Sequence, residues 1–264
     1  MEAHIKQVIK QLERDYDMKV LYACEAGSRA WGLSSKNSDY DVRFIYVQRK
    51  NWYLSIDQKR DTLEIPNRDP ISMLLDDRLD LSGWELSKAL RLYRKSNPSI
   101  FEWLSSKLVY SESYSTIEKM RQMEPSIFSP VVCFHHYLNM GKRNFRDCLH
   151  SKEPNVKKYI NALKPIFSVK WIELHRTFPP IEFQALLDQF NLPDELNEAI
   201  THLIKSKLTT TEWNRDIDLD VINQYLESEL RNLESRAKTM HKEIVDPTTE
   251  LDQLFRDTLI EVWG

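Results

Sequence analysis

The residues best suited to chemistry lie close together in AGSRAWGLSSKNSDYDVRFIYV, residues 26–47. Asp39 and Asp41 stand two residues apart at the start of a stretch rich in β-branched and aromatic residues, which predicts a strand. Side chains two apart on a strand point to the same face, so both carboxylates should converge. Convergent carboxylates repel each other unless a cation joins them, and Mg²⁺ (or Mn²⁺) prefers such oxygen ligands. The spacing therefore predicts a metal site at Asp39 and Asp41.

Gly27 and Ser28 precede these aspartates and have the properties of a phosphate site. Glycine at position 27 allows a positive φ angle or a close approach of the backbone to a ligand. Ser28 follows at the expected N-terminus of a short helix, where free N–H groups and a hydroxyl attract phosphate oxygens. A nucleoside triphosphate suits this segment, because its phosphates would also share a metal with the two aspartates.

Three other binding motifs are excluded by the residues present. A calcium loop starting at Asn37 fails, because its sixth position is Val42 instead of glycine and its twelfth is Gln48 instead of glutamate. The chain contains neither the GxxxxGK[ST] pattern of a P-loop nor the GxGxxG pattern of a dinucleotide-binding turn.

The pattern G-S-x-A-x-G-x-x-S-x-x-S-D-x-D, here called the signature segment (residues 27–41), resembles that of the DNA polymerase β nucleotidyltransferase superfamily. The matching residues are Gly27, Ser28, Ala30, Gly32, Ser35, Ser38, Asp39 and Asp41. Longer stretches, up to about residue 190, are similar to a bacterial and phage family of nucleotidyltransferases described as RNA-ligase-associated. They are SDYDVRFIYV, DLSGWELSKALRL, KSNPSIFEWL and KKYINALKPIFSVKWIE. This resemblance implies an α/β catalytic domain with a helical partner domain.

The resemblance also implies a third acidic residue on a later strand, which binds metal and helps to deprotonate the attacking hydroxyl. We assign this role to Asp80, because DRLDLS (77–82) is a strand-like segment that runs directly into a helix expected to open at Gly83. The alternatives left open are Glu64, Asp76 and Asp77.

Five further residues complete the expected nucleotide site: Arg29, Ser38, Arg43, Lys88 and Lys158. Ser38 belongs to the pattern, whereas Arg29 follows the site serine and has a surface position as its alternative. Arg43 continues the strand parity of the two aspartates, so it either touches phosphate or pairs with a carboxylate. Lys88 either reaches the triphosphate or lies on a solvated helix face. Lys158 begins a basic helix that either holds phosphates or an RNA acceptor, or is likewise solvated.

The expected secondary structure divides the chain into two parts. Strand patterns alternate with helical ones in the first part, at 19–26, 41–47, 61–65 and 77–82. After about Pro125 the remaining patterns are helical. We therefore predict an α+β fold in which a polymerase-β-like nucleotidyltransferase domain with a mixed sheet (1–125) is followed by an all-α domain (126–264).

Composition favours a cytoplasmic protein. No apolar run is long enough to span a bilayer, and the N-terminus lacks a signal-peptide core, so we expect no membrane partner. The three cysteines lack CxxC spacing and indicate reduced, buried thiols. Net charge is -3, yet residues 141–176 hold nine Lys and Arg against three Asp and Glu, which suits a phosphate-rich partner.

Together these features predict an enzyme that moves a nucleoside monophosphate from an NTP to an acceptor hydroxyl or phosphate and releases pyrophosphate. The acceptor is an RNA or a small molecule of the aminoglycoside type, and the family association favours RNA. The alternative is a non-catalytic or regulatory nucleotide-binding module, as in antitoxin-like partners. The presence of every acid that turnover requires favours the enzyme.

Overall fold

The structure is a computed structural model that describes residues 1–151, 155–209, 218–240 and 246–264. Contacts divide the chain into two compact units. The first unit contains Met1–Ala30, Asp39–Phe128 and the last helix, and the second contains Trp31–Ser38 and the helices that follow Ser129. A loop inside the signature segment thus belongs to the helical unit, and the last helix belongs to the sheet unit. The predicted division between residues 125 and 126 follows chain order. It therefore assigns the loop 31–38 to the first domain and the last helix to the second.

The first unit is built on a five-stranded mixed sheet with the strand order β3-β4-β2-β1-β5. Strands β2 and β4 are parallel, whereas the other neighbouring pairs are antiparallel. The bounds are β1 Lys19–Glu25, β2 Tyr40–Val47, β3 Thr62–Ile65, β4 Leu79–Glu85 and β5 Val109–Glu112. This arrangement confirms the predicted α+β class with a mixed sheet.

Six helices of the first unit precede, connect or directly follow these strands. They are α1 Glu2–Asp15, α2 Gly27–Ala30, α3 Lys50–Tyr53, α4 Leu86–Arg94, α5 Pro98–Leu104 and α6 Thr116–Ile127. Helix α1 is amphipathic, and its apolar side chains are buried in one core with residues of β1 and β2, such as Val20, Val42 and Phe44. Helix α5 begins as the sequence predicts, because the Asn97 side chain accepts the Ser99 N–H and Pro98 occupies the first turn.

The second unit is helical, as the spacing of its apolar residues predicts. Its helices are α7 Pro130–Leu149, α8 Val156–His175, α9 Phe183–Leu187, α10 Asp194–Thr209 and α11 Leu219–Ala237. Helices α7 and α8 approach closely at Gly141, where an added Cβ would lie 2.7 Å from Ile166 Cδ1. Glycine at this position therefore permits the tight pairing of the two longest helices.

The last helix, α12 (Thr248–Trp263), packs within the first unit. Its start is tied to α4 by a hydrogen bond of 2.7 Å from Arg94 Nη1 to Thr248 Oγ1. Its middle meets α6 through the buried hydroxyls of Thr116 and Thr258, which lie 2.8 Å apart. The acidic C-terminal sequence therefore supplies a structural helix to the sheet unit.

One element differs from its predicted position in a way that matters for the site. The sequence predicts a helix opening at Gly83, but β4 continues to Glu85 and α4 begins at Leu86. Gly83 is a packing glycine, because a Cβ there would lie 2.2 Å from the Phe44 ring of β2. The helix start is set by Glu85, whose side chain accepts the Ser87 N–H at 2.8 Å.

Candidate active site

Asp41 and Asp80 face each other across the parallel strands β2 and β4. They are register partners, so their backbones are separated by the inter-strand spacing of about 4.8 Å. Arg43 joins the two carboxylates, with Nη2 3.0 Å from Asp41 Oδ1 and Nη1 2.8 Å from Asp80 Oδ2. The three side chains therefore meet on one face of the sheet, and Arg43 takes the carboxylate-pairing role among its two predicted alternatives.

Among the candidates for a third carboxylate, Asp80 lies in register with Asp41, whereas Asp77 lies before β4 and is exposed. Glu64 is exposed on β3 and pairs in register with Ser82. Asp76 pairs with Arg78, and hydrogen bonds from Arg78 hold the pKa of that carboxyl below its usual range. The register of β2 and β4, rather than a helix opening at Gly83, is what puts Asp80 in this position.

Gly27 adopts a positive φ of 57° and comes directly against Asp41. An added Cβ would lie 2.2 Å from Asp41 Oδ2, so no other residue fits without displacing that carboxylate. The neighbouring Ala26 N–H donates to the Asp41 carbonyl at 2.8 Å. Both the turn and the aspartate are thus fixed by one close approach of the backbone.

The single turn of α2 carries Ser28 and Arg29 beside the strand that bears Asp41. Ser28 is partly exposed. Arg29 Nε donates to the Asp39 carbonyl at 2.9 Å, and its guanidinium lies 3.7 Å from the centre of the Tyr40 ring. Arg29 therefore holds the backbone that leads into β2.

Asp39 differs from Asp41 and Asp80 in its placement. It lies one residue before β2 and is exposed. In the part of the chain that the structure describes, no group of three or more His, Cys, Asp or Glu side chains is positioned to hold a metal ion. The structure therefore brings two of the three predicted metal ligands together and leaves Asp39 outside that pair.

Ser38 lies in the loop Trp31–Ser38 of the second unit. It is buried; its N–H donates to the Ser35 carbonyl at 3.1 Å, and its Oγ accepts the Ser35 N–H at 2.9 Å. The loop is also held at its start, where the Phe183 N–H donates to the Trp31 carbonyl at 3.0 Å. In this structure Ser38 shapes the loop that precedes Asp39.

Lys88 lies at the opposite end of β4 from Asp80. Glu85, where the strand ends, is the fifth residue after Asp80, which corresponds to about 16 Å along the strand. Lys88 Nζ is 3.3 Å from Asp61 Oδ1, and Arg91 Nη2 is 2.7 Å from Asp61 Oδ2. The structure does not bring Lys88 together with Asp41 and Asp80.

Lys158 begins α8 in the second unit, where its Nζ lies 3.1 Å from Ser151 Oγ. The basic character of this region is reduced by acidic residues of α11. Lys142 pairs with Glu234 at 2.6 Å, and Lys170 pairs with Glu229 at 3.3 Å. Two charged residues of the basic segment, Lys152 and Glu153, lie outside the described residues. Two of the nine basic residues of the segment are thus paired with acids of α11 within the folded unit.

Glu25 is a site residue that the sequence analysis missed. It ends β1, is fully buried, and accepts the Asp41 N–H at 2.8 Å through Oε1. Its Oε2 accepts a short hydrogen bond from the Tyr110 hydroxyl. Burial raises the pKa of the Glu25 carboxyl, while the hydrogen bonds from Tyr110 and Asp41 oppose that rise. The available signal was a glutamate that ends an apolar strand two residues before Gly27.

The mixed sheet and the paired acids are features that the polymerase β resemblance implies, and comparison with known proteins supports that class. The chain belongs to the RNA repair pathway DNA polymerase beta family, whose model matches residues 1–257. Family membership supports a general nucleotidyltransferase role.

Proteins similar to this chain include the following two. The first is "Uncharacterized protein YcgL" of Bacillus subtilis (strain 168), which is 43% identical over 263 residues, covering 100% of this chain and 98% of the relative. The second is a nucleotidyltransferase-like protein from Exiguobacterium sibiricum 255-15, known from a crystal structure. It is 13% identical with a TM-score of 0.33, covering 98% of this chain and 81% of the other. No helix among the described residues is long and apolar enough to cross a membrane.

Proposed function

We propose that this protein transfers a nucleoside monophosphate from an NTP to an acceptor hydroxyl or phosphate, with release of pyrophosphate, in a reaction that requires Mg²⁺ or Mn²⁺. The observation that carries the proposal is the register pairing of Asp41 and Asp80 on parallel strands, beside the positive-φ turn at Gly27. This arrangement gathers anionic oxygens next to a turn whose N–H groups suit phosphate.

The donor set fits a hard divalent cation. Asp41 and Asp80 offer carboxylate oxygens, and both already share one cationic group, the Arg43 guanidinium. Asp39, Asp41 and Asp80 would hold the metal, with Asp39 contributing from its exposed position before β2. When bound, the ion would neutralise charge that develops on the transferring phosphoryl group and the leaving oxygen.

The residues of the signature segment bind and orient the triphosphate in this proposal. Gly27 and Ser28 donate N–H and hydroxyl groups to the β and γ phosphates. Arg29 holds the approach to β2 through the Asp39 carbonyl, so it fixes the spacing between the phosphate turn and the aspartates. Arg43 keeps the two paired carboxylates together and offsets their repulsion.

Asp80 acts on the acceptor rather than on the triphosphate. A group that attacks phosphorus must lie in line with the leaving oxygen and give up its proton. Asp80 is partly exposed, and it lies beside Asp41 without being part of the phosphate turn. Its carboxylate is therefore suited to orient the acceptor hydroxyl and accept its proton.

An RNA end is the acceptor that we propose. The family description names an RNA repair pathway, and this is the support for RNA over a small molecule of the aminoglycoside type.

The test supplies the chain with each labelled NTP, Mg²⁺ and either RNA with defined ends or pooled small-molecule acceptors. Transfer of label to RNA, lost in Asp41→Asn and Asp80→Asn variants that unfold at the wild-type temperature, is the expected result. Labelling of small molecules alone would refute the RNA acceptor and leave the enzyme class standing. Metal-dependent NTP binding without any transfer would replace the enzyme with the regulatory module.

A further inference from the structure

We propose that Glu25 and Tyr110 are positioning residues that fix Asp41 for metal binding. This inference rests on the proposed function, because it takes Asp41 to be a metal ligand. Neither residue needs to touch substrate or metal, since Glu25 is fully buried and acts through the backbone of Asp41.

Where β1 ends, a side chain replaces part of the regular hydrogen bonding between β1 and β2. In the antiparallel pairing of β1 with β2, Glu25 lies opposite Val42, so Ala26 would lie opposite Asp41. Ala26 N–H does donate to the Asp41 carbonyl at 2.8 Å. The Asp41 N–H, however, donates to Glu25 Oε1 at 2.8 Å, so a side-chain carboxylate serves as its acceptor where the chain turns away at Gly27.

The register of β5 against β1 shifts next to Glu25. Ala23 lies opposite Ser111 and Cys24 lies opposite Val109, so Tyr110 is the extra residue of a β-bulge. A bulge redirects the side chain of its extra residue and is common beside functional sites. Here the Tyr110 hydroxyl donates to Glu25 Oε2, so both oxygens of the glutamate are engaged.

The backbone of Glu25 is also held by hydrogen bonds, like its side chain. Its N–H donates to the Leu108 carbonyl at 2.8 Å, and its carbonyl accepts the Ser106 hydroxyl at 2.7 Å. With backbone and carboxylate both fixed, Glu25 offers the Asp41 N–H one rigid acceptor. The backbone at Asp41 is thereby fixed, and with it the direction in which the carboxylate points.

A matched control exists at the other end of the sheet. Glu85 also ends a strand and is fully buried. Its Oε1 accepts the Tyr53 hydroxyl at 2.6 Å, and its Oε2 accepts the Ser87 N–H at 2.8 Å. Glu85 and Tyr53 therefore form the same hydrogen bonds as Glu25 and Tyr110. The N–H that Glu85 accepts, however, belongs to the first turn of a helix.

The experiment measures Mn²⁺ affinity by electron paramagnetic resonance on the full chain, together with thermal unfolding and the kcat and KM of NTP turnover. Glu25→Leu should weaken Mn²⁺ binding about 10- to 100-fold, the usual effect of losing a group that orients a ligand. Tyr110→Phe removes one hydrogen bond and should weaken it about 2- to 10-fold. Glu25→Gln keeps an acceptor for the Asp41 N–H and should restore most of the affinity.

The control series is Glu85→Leu, Glu85→Gln and Tyr53→Phe, which should lower the unfolding temperature and leave Mn²⁺ affinity unchanged. Equal Mn²⁺ affinity in the Glu25 and Glu85 series would overturn the positioning role. If Glu25→Leu fails to fold, Tyr110→Phe against Tyr53→Phe decides the question by the same criterion. A wild-type chain that binds neither Mn²⁺ nor NTP would instead overturn the proposed function, and this inference with it.

Discussion

The two ends of the parallel pair β2 and β4 are built from similar parts and differ in what those parts hold. Each end has a buried glutamate that accepts hydrogen bonds from a tyrosine hydroxyl and from a backbone N–H. The glutamate is Glu25 at one end and Glu85 at the other. Burial raises the pKa of both carboxyls. A carboxyl with a raised pKa therefore does not by itself identify the functional end of this sheet.

The distinguishing feature is the pairing of two aspartates in register at the first end. Asp41 and Asp80 lie side by side on neighbouring strands, next to a turn that only glycine fits. At the second end Asp61 is paired with both Lys88 and Arg91. At the second end one acid therefore has two cationic partners, whereas at the first end two acids share the single guanidinium of Arg43, which leaves negative charge for a divalent ion to neutralise.

The largest effect should come from removing one of the paired acids. Asp41→Asn should lower transfer by roughly 10³-fold or more, because the ligand of an ion that contributes several kcal/mol of charge stabilisation is lost. Asp61→Asn, at the other end, should leave transfer unchanged and lower stability by at most about 1 kcal/mol for each of its two partly exposed ion pairs. Single-turnover rates and thermal melts measure the two effects. Comparable losses of transfer in both variants would contradict the assignment.

Gly27 and Gly83, each of which packs directly against a side chain of β2, offer the next comparison. Gly27→Ala should lower transfer by about 10²-fold, since it forces the Asp41 carboxylate to move and small displacements of a reacting site have effects of that size. Gly83→Ala should instead reduce the free energy of unfolding by about 1–3 kcal/mol, because its Cβ meets the Phe44 ring in the core. NTP affinity of the Gly83 variant should remain at the wild-type value; a folded Gly27→Ala or Gly27→Val protein with normal NTP binding would rule out the close-approach argument.

Arg43 should compete with the divalent ion for the acid pair. Arg43→Met is expected to tighten Mn²⁺ binding roughly 10-fold, since it removes two partly exposed ion pairs worth up to about 1 kcal/mol each. Arg91→Met removes a comparable partner from Asp61 and should not change Mn²⁺ affinity. Weaker Mn²⁺ binding in the Arg43 variant would show that its guanidinium supports the bound state.

The smallest effect concerns the serine of the phosphate turn. Ser28→Ala should weaken NTP binding roughly 5-fold, because one hydrogen bond of about 0.5–1.5 kcal/mol is lost while the backbone donors remain. Ser87→Ala, in the first turn of α4, serves as the control and should leave NTP affinity unaltered. Isothermal titration with a non-hydrolysable NTP separates these outcomes, and a 100-fold loss at Ser28 would mean that the hydroxyl does more than bind phosphate.

The sequence predicted those parts of the site that depend on local spacing. A short apolar run located β1, enrichment in β-branched and aromatic residues located β2, and the pattern around Asp39 and Asp41 located the turn at Gly27. The predicted Asn97 cap of α5 is also confirmed. Each of these features is set by residues within a few positions of one another.

The remaining features depend on contacts between distant residues. Strand β5 and helix α3 span four residues each, too few to show a period. The bulge at Tyr110 is a mismatch of two strands more than eighty residues apart, so no local pattern records it. Lys88 was expected near the triphosphate because the helix start was set at Gly83, whereas strand pairing carries β4 two residues further.

The return of α12 to the sheet unit has a consequence for the protein during its synthesis. All five strands lie before residue 113, yet α12 does not begin until Thr248. At usual ribosomal rates, roughly ten seconds separate the emergence of β5 from that of α12. In that interval the faces of α4 and α6 that α12 will cover remain open to water, so the nascent chain presents a transient apolar surface of the kind that chaperones bind.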